Sequence, residues 1–323
     1  MAIKFRVFLH SYLGFNSNST LFYGERDAIL VDASQLLSDT HRMIAEIIPM
    51  RKNLTHIYVS HFHPDHHFGL QVLQHAFPNA RIVALPSVVK DIVYTSSDKV
   101  ELWAIDRFGP DDIPRKTTIP MPMSEPRLLL EGEELLVSDD WEGDSANNSA
   151  VWVPSIGVAC ATDIAFHDCH LWPIESNVAR RVKWRASIRK LGEFGARIVI
   201  PGHCDDEKVR LMEEVQEDRS RSYTECVDWS LRYLDNYEEV YNTARTGEEM
   251  VSAMTRLYPD VTAEDFAIHW QARLLFPRTS PDWLTPLPGK PGRIFLSPLG
   301  TYDGDPPRES GSRESGSDQN NLF

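Results

Sequence analysis

Three imidazoles and one carboxylate fall within six positions in the run His61-Phe62-His63-Pro64-Asp65-His66, and His67 follows directly. Imidazole nitrogen suits zinc and the neighbouring transition metals, and a carboxylate completes or bridges such a site. His61 and His63 are two residues apart, so an extended backbone points both to the same side. Asp65 and His66 are adjacent and open the following helix. They cannot easily join the first pair on one ion, but they can serve a second ion alongside it. The spacing reads as two metal sites fed by one loop. A lone histidine would more often be an ordinary surface residue, whereas a cluster this dense is a ligand pattern.

Such a loop needs a rigid element behind it, and the apolar stretch 55–60 reads as a strand. Residues 3–10, 19–23 and 27–32 also read as short strands. Residues 39–48 have helical periodicity, with Met43, Ile44, Ile47 and Ile48 on one face, and stop at Pro49. A helix over 66–77 and a strand over 81–85 follow, and strands alternating with helices define an α/β core. Between residues 95 and 127 the regularity fails. Pro110, Pro114, Pro120, Pro122 and Pro126 interleave there with Trp103, Phe108, Met121 and Met123. Long irregular segments in compact domains are functional loops or disorder. These apolar residues favour a loop packed over something, either an active-site roof or a strap over a core edge. Strands resume at 134–139, 150–153, 157–162 and 197–200. Residues 177–191 read as a basic amphipathic helix with a solvated charged face. Helices are expected at 205–218, 223–243, 247–258 and 263–275. The end is Pro-rich over 281–291 and repeats Arg-Glu-Ser-Gly-Ser over 308–317, with almost nothing to bury, so it is expected to be disordered. The expected organisation is a catalytic core over 1–205, a helical extension over 206–280 and a tail over 281–323.

The pattern HxHxDH behind a strand resembles the metallo-β-lactamase superfamily. Members of that family carry Gly-His in a turn, then a strand pair ending in Gly-Asp, then a late Gly-His. Here Ala161-Thr162-Asp163 closes one strand and Pro201-Gly202-His203 closes another. The turn histidine is absent. Aligned without gaps on Asp163, it falls on Gly143-Asp144, 19 residues earlier. Asp144 is therefore read as the replacement ligand, with Glu142 as the fallback. The resemblance covers roughly residues 3–205, the size of an average domain or more. It implies an α/β fold, the αβ/βα sandwich, with a C-terminal helical extension in this chain. It also implies two metal sites: His61, His63 and Asp144 in the first, Asp65, His66 and His203 in the second, with Asp163 bridging. Two zinc ions are the implied cofactor. A carboxylate in place of imidazole hardens the first site and makes manganese or iron more competitive.

The 323 residues include 42% hydrophobic ones, which suits a globular enzyme. The formal net charge of −14 speaks against a nucleic-acid groove, which needs clustered Lys and Arg. No apolar run is long enough to span a bilayer, and the first residues lack a signal peptide's apolar segment. Cys160, Cys169, Cys204 and Cys226 show no CxxC spacing, so reduced thiols in a cytoplasmic enzyme are expected. The expected partner is a small-molecule substrate, with neither nucleic acid nor membrane, bound by a monomer or homodimer.

Water held between two divalent ions is ionised near neutral pH, and one ion can polarise a carbonyl. Asp65 and Asp163 would orient the hydroxide. A leaving nitrogen needs a proton, and His170, in Phe166-His167-Asp168-Cys169-His170, is the first candidate donor. Trp141, Phe62, Phe68 and Trp172 flank ligand positions, as an aromatic wall for a flat substrate or as core. The sequence thus reads as a metal-dependent hydrolase that opens a small cyclic amide or ester by attack of metal-bound hydroxide. A lactam is favoured, with xenobiotic detoxification as the setting. That reading rests on likeness to a lactamase- and lactonase-like branch of fungi and bacteria. Asn148 stands where glyoxalase-II-like thioesterases carry a further histidine. The alternatives are a quorum-signal-type lactonase, a thioesterase, a thiol dioxygenase using one iron, and a metal-binding sensor without turnover.

Overall fold

The computed structural model describes residues 3–276, apart from 107, 110, 262 and 263. β1 (Lys4–Leu9), β2 (Asn18–Tyr23), β3 (Asp27–Val31), β4 (Asn53–Val59), β5 (Arg81–Ala84) and β6 (Met121–Pro122) form one sheet in that order. β7 (Arg127–Leu130), β8 (Glu133–Trp141), β9 (Asn148–Val153), β10 (Val158–Phe166) and β11 (Ile198–His203) form the second, with β11 and β7 at its edges. The strands β3, β4 and β5 run parallel, as do β10 and β11. Parallel neighbours need a crossover, usually a helix. Here α1 (Leu37–Ile47) follows β3, and α5 (Val178–Glu193) follows β10. All nine residues of β10 are buried, so it reads as a near-continuous apolar run, as a strand covered on both faces does. This is the α/β sandwich that the sequence motif implies.

The loop-bearing end of the first sheet is tied down by backbone bonds. The helix expected over 66–77 is broken into α2 (Pro64–His67) and α3 (Leu70–Ala76). The break follows from the segment after β3: Ala33 N–H donates to His66 O at 2.8 Å, and Gly69 N–H donates to Ser34 O at 2.7 Å. The two sheets meet at this end, where Ser17 pairs with His203 in an isolated bridge. Asn18 Nδ2 adds a bond of 3.1 Å to Pro201 O.

Two expectations are corrected. Residues 95–106 are not irregular: they form the second half of α4 (Pro86–Asp106). All five prolines of the 95–127 stretch lie beyond residue 106, and Pro86 sits at the helix start, where proline is tolerated. Weak helix formers such as Thr95, Ser96 and Ser97 hide the helix from a propensity reading. Pro122 lies in the two-residue edge strand β6, a place proline can occupy. The basic face of α5 is solvated only in part: Lys183, Arg189 and Lys190 are exposed, while the other three basic residues find partners. Arg180 pairs with Glu142, Arg185 with Asp235 and Glu238, and Arg181 is buried against Tyr237 and Tyr241. These partners lie mostly on α7 (Glu225–Thr243), so α5 fastens the core to the helices α6 (Asp206–Glu217), α7, α8 (Gly247–Leu257) and α9 (Glu264–Leu275). The tail 281–323 lies outside the described residues, as does the start of the last helix expected at 263.

Candidate active site

All seven residues read as metal ligands converge at the end where the sheets meet, and all seven are buried. Their candidate ligand atoms fall into two groups, His61, His63, Asp144 and Asp163, and Asp65, His66 and His203, each with its atoms within 4.8 Å of one another. His63 Nδ1 is 2.7 Å from Asp144 Oδ2, and His61 Nε2 is 3.8 Å from Asp144 Oδ1. Asp65 Oδ2 is 3.3 Å from both His66 Nε2 and His203 Nε2. Asp163 touches both groups. Its Oδ2 is 3.6 Å from His61 Nε2 and 3.1 Å from His203 Nε2, and its Oδ1 is 3.2 Å from His66 Nε2. Asp163 thus lies between the two groups.

The donor set fits divalent metal. His61 Nε2, His66 Nε2 and Asp163 Oδ1 are buried yet make no hydrogen bond among the described residues. Buried polar atoms are nearly always paired, and these three aim at one another's neighbourhood. Charge tells the same story. Burial would push His63, His66 and His203 down, yet the facing carboxylates win. Asp144 and Glu175 bring His63 to about 9, Asp163 and Asp65 bring His203 to about 10, and Asp163, Asp65 and Asp32 hold His66 well above its ordinary value. The carboxylates of Asp65 and Asp163 are held well below theirs despite burial, chiefly by His66. The pocket therefore favours positive charge between its carboxylates, as a cation site must.

Local backbone explains why glycines precede two of the aspartate and histidine ligands. A Cβ on Gly202 would stand 1.9 Å from Asp163 Oδ1 and 2.6 Å from Thr162 C, so only glycine lets β11 approach the bend in β10. A Cβ on Gly143 would stand 2.7 Å from Asp163 O. That approach lets Asp144 N–H donate to the same oxygen at 3.2 Å, clipping the turn to the bridging strand. Thr162 adopts φ 50°, a left-handed conformation that is strained for a β-branched side chain. Its hydroxyl donates to Ser149 O at 2.9 Å, which helps hold it there. The pairing of β10 with β11 is irregular on both sides of Thr162, and Asp163 leaves the regular ladder at this point. The strand itself continues to Phe166 rather than closing at Asp163.

A ring of supporting groups, not visible from the ligand motif, fixes each imidazole. Asp32 Oδ2 is 2.9 Å from His66 Nδ1 and accepts from Ser60 Oγ at 2.7 Å. Ser60 Oγ in turn lies 2.9 Å from His61 Nδ1. His203 Nδ1 lies 2.9 Å from Phe15 O, and His63 Nε2 lies 3.2 Å from Glu175 Oε1. Asn148 Nδ2 donates to Asp144 Oδ1 at 3.2 Å, so the residue at the family's further-histidine position steadies the substituted ligand. Such partners orient a ligand and raise its basicity, and their loss costs roughly 10–100-fold in metal affinity. Asp32→Asn and Glu175→Gln are each expected to weaken zinc binding by that order. Chelator competition would measure this, and unchanged affinity in both variants would contradict the arrangement. Glu142, the fallback ligand, is outside both groups and is paired with Arg180.

The aromatic residues divide. Trp141 and Phe68 are core: Trp141 packs against Phe194 under Lys190, and Phe68 is fully buried. Phe62 and Trp172 stay at the site. Phe62 packs on His63 with ring centres 4.9 Å apart, and Trp172 Nε1 lies 3.4 Å from Glu175 Oε1. Sequence reading missed the remainder of an aromatic belt. Phe15 meets Trp103 at 5.5 Å, Trp103 meets Trp270 at 5.2 Å, and Trp270 meets Trp172 at 6.2 Å. The belt runs from Phe15, beside His203, to Trp172, beside Glu175 and His63. Trp103 comes from α4 and Trp270 from α9, so the helical extension helps to wall the site.

His170 is not brought among the ligand atoms. Its Nδ1 lies 2.8 Å from the Tyr233 hydroxyl, and its ring meets Tyr233 and Tyr258 edge-on. Burial, then His269, pushes it down to about 4. A cavity of about 380 Å³ opens elsewhere, lined by residues including His10, Arg42 and Glu213, and no ligand lines it.

The family model described as "Metallo-beta-lactamase superfamily" matches residues 12–91. The chain is similar in structure to the BLEG-1 B3 metallo-beta-lactamase, with 16% identity and a TM-score of 0.51 over 62% of this chain and 92% of that one. It is also similar to a metallo-beta-lactamase from Pontibacter korlensis, with 15% identity and a TM-score of 0.45 over 68% of this chain and 87% of that one. No curated protein matches the sequence. The family model thus covers the quarter of the chain that carries the HxHxDH motif, and the chain shares the fold of the BLEG-1 enzyme.

Proposed function

We propose that the protein is a metal-dependent hydrolase that opens a small, flat cyclic amide or ester, with a lactam favoured. The observation that carries this is the pair of buried ligand groups sharing Asp163. Two divalent ions held there would supply Lewis acidity and a water ionised near neutral pH. Zinc is the favoured metal, with manganese and iron as competitors for the group that contains Asp144.

The chain's own groups do the rest. Asp163 fixes the spacing of the two groups, and Asp65 holds its carboxylate between His66 and His203. Asp32, Ser60, Glu175 and the Phe15 carbonyl keep the imidazoles aimed. The aromatic belt excludes water and offers flat faces to a flat ring. Two ligand groups support a two-ion hydrolase over a one-iron thiol dioxygenase. The test is reconstitution with zinc, manganese or iron(II), followed by a screen of lactams, lactones and thioesters. Hydrolysis of a cyclic amide or ester is the expected result. No hydrolysis of any of them by fully metallated protein would overturn the proposal in favour of a metal-binding sensor, and oxygen uptake with a thiol would favour the dioxygenase.

An acid role for His170 is the weaker part of the sequence reading, because a ring pushed to about 4 is neutral at pH 7 and cannot donate as imidazolium. His170→Ala is expected to lower lactam and lactone turnover alike and to cost about 1–3 kcal/mol of stability, the ordinary range for a disturbed buried residue. A loss confined to lactams, where the leaving nitrogen needs a proton, would restore the acid role.

A further inference from the structure

We propose that Lys99 is an anion anchor beside the metal ligands, and that the substrate is a flat ring carrying a carboxylate. This rests on the hydrolase reading and narrows its substrate class. Lys99 lies on α4, one helical turn before Trp103 of the aromatic belt, so both project from the same side of the helix. Its side chain is only 12% exposed. Its ammonium stands 4.4 Å over the Phe62 ring and 4.0 Å from Glu175 Oε1, the same oxygen that lies 3.2 Å from His63 Nε2.

Two features separate this lysine from an ordinary structural pair. At 4.0 Å the contact with Glu175 is too long for a hydrogen bond, and Lys99 Nζ makes no hydrogen bond among the described residues. An ammonium has three donors, and a nearly buried one with none engaged is costly unless something supplies acceptors. Glu175 is meanwhile occupied by His63 and Trp172. Burial pushes Lys99 below its ordinary value, and Glu175, Asp144 and Asp65 pull against that. The groups around Lys99 define what it would bind. Phe62, Trp172 and Trp103 offer apolar faces, the ligand groups lie one side chain away, and a carboxylate is the acceptor that an ammonium in such a setting takes best. A ring lying along the belt would then place its carboxylate on Lys99 and its scissile carbonyl towards the ligand groups.

The test uses binding, so it stands apart from turnover. Benzoate and benzamide, equal in size and differing in charge, are titrated calorimetrically into the zinc-loaded protein, and zinc content is measured in parallel. Wild type is expected to bind benzoate at least about tenfold more tightly than benzamide, the scale of one charge-assisted hydrogen bond. Lys99→Met, which keeps the apolar stem, is expected to lose about tenfold for benzoate, change benzamide little and retain its zinc. Lys99→Arg is expected to keep the preference. A preference that persists in Lys99→Met would place the anion on the metal and overturn the proposal. So would equal loss for both probes, no preference in wild type, or no binding of either. Loss of zinc in Lys99→Met would also overturn it, making Lys99 a residue that acts on His63 through Glu175. Failure of the hydrolase reading would show separately, as absent turnover with the binding preference intact.

Discussion

Asp163→Ala is expected to take the protein from about two bound zinc ions per chain to one or fewer, and to lower turnover by roughly 10³-fold or more. The reason is positional. Asp163 is the only residue among the seven whose carboxylate reaches imidazoles of both groups, at 3.1 to 3.6 Å. Without it, His61 and His66 face each other across rings whose centres are 4.3 Å apart, with no negative charge between them. Like charges on two close ions then go unscreened, and one ion leaves. The rate estimate follows from losing several kcal/mol of metal-supplied stabilisation, at about 1.4 kcal/mol per decade. Asp163→Asn separates charge from shape: it keeps an oxygen in place and should still lose most of the second ion. Metal analysis after dialysis, read beside the turnover rate, decides the matter. A variant that keeps two ions and a rate within tenfold of wild type would show that Asp163 is not the bridge.

Much of this site was legible in the sequence because its ligands sit at strand ends, where chemistry and local structure share one signal. His61, His63, Asp65 and His66 follow an apolar strand within six positions, His203 closes another, and Asp163 sits at the irregular point of a third. The supporting residues were not legible, for a physical reason. Asp32, Ser60, Phe15 and Glu175 each reach one imidazole through one hydrogen bond, across chain separations up to 188 residues, and no spacing rule reports such contacts. The same holds for the aromatic belt. Trp103 and Trp270 meet only because α9 returns over α4, a tertiary event without a sequence period. The second half of the helix over 86–106 is hidden in the sequence because its residues are weak formers and five prolines crowd the stretch beyond it. The partners of Arg180, Arg181 and Arg185 on α5 are hidden as well, because charge patterning cannot distinguish solvent from a facing acidic side chain. In Gly143-Asp144 and Gly202-His203 the glycine was the informative residue, since a side chain at either place would collide with the strand that carries Asp163.

Asp144→Ala should empty the first ligand group while leaving the second, whereas Glu142→Ala should leave both. The substitution of carboxylate for imidazole makes this the most distinctive position in the site. Asp144 reaches His63 Nδ1 at 2.7 Å through Oδ2 and His61 Nε2 at 3.8 Å through Oδ1, and Asn148 donates to Oδ1. Burial raises its carboxyl to about 6, with the His63 charge pulling against that and Asp163 and Glu175 adding to it. A buried acid so placed is easily protonated when no cation faces it and is deprotonated by one that arrives, so metal uptake at this group should release protons. Removing Asp144 takes away the group's one unshared carboxylate and leaves His61 and His63 with only the Asp163 they share with the second group, short of four-coordination by protein alone. Affinity should therefore fall by more than the roughly 10–100-fold that loss of a supporting partner costs. Glu142 is committed to Arg180 on α5, so its loss should affect the fit of that helix and spare occupancy. Titration of each metal-free variant with zinc gives the stoichiometry directly. One site in Asp144→Ala and two in Glu142→Ala is the expected pair of results; the reverse would mean that the turn presents Glu142 to the metal and that the ungapped placement of Asp144 is wrong.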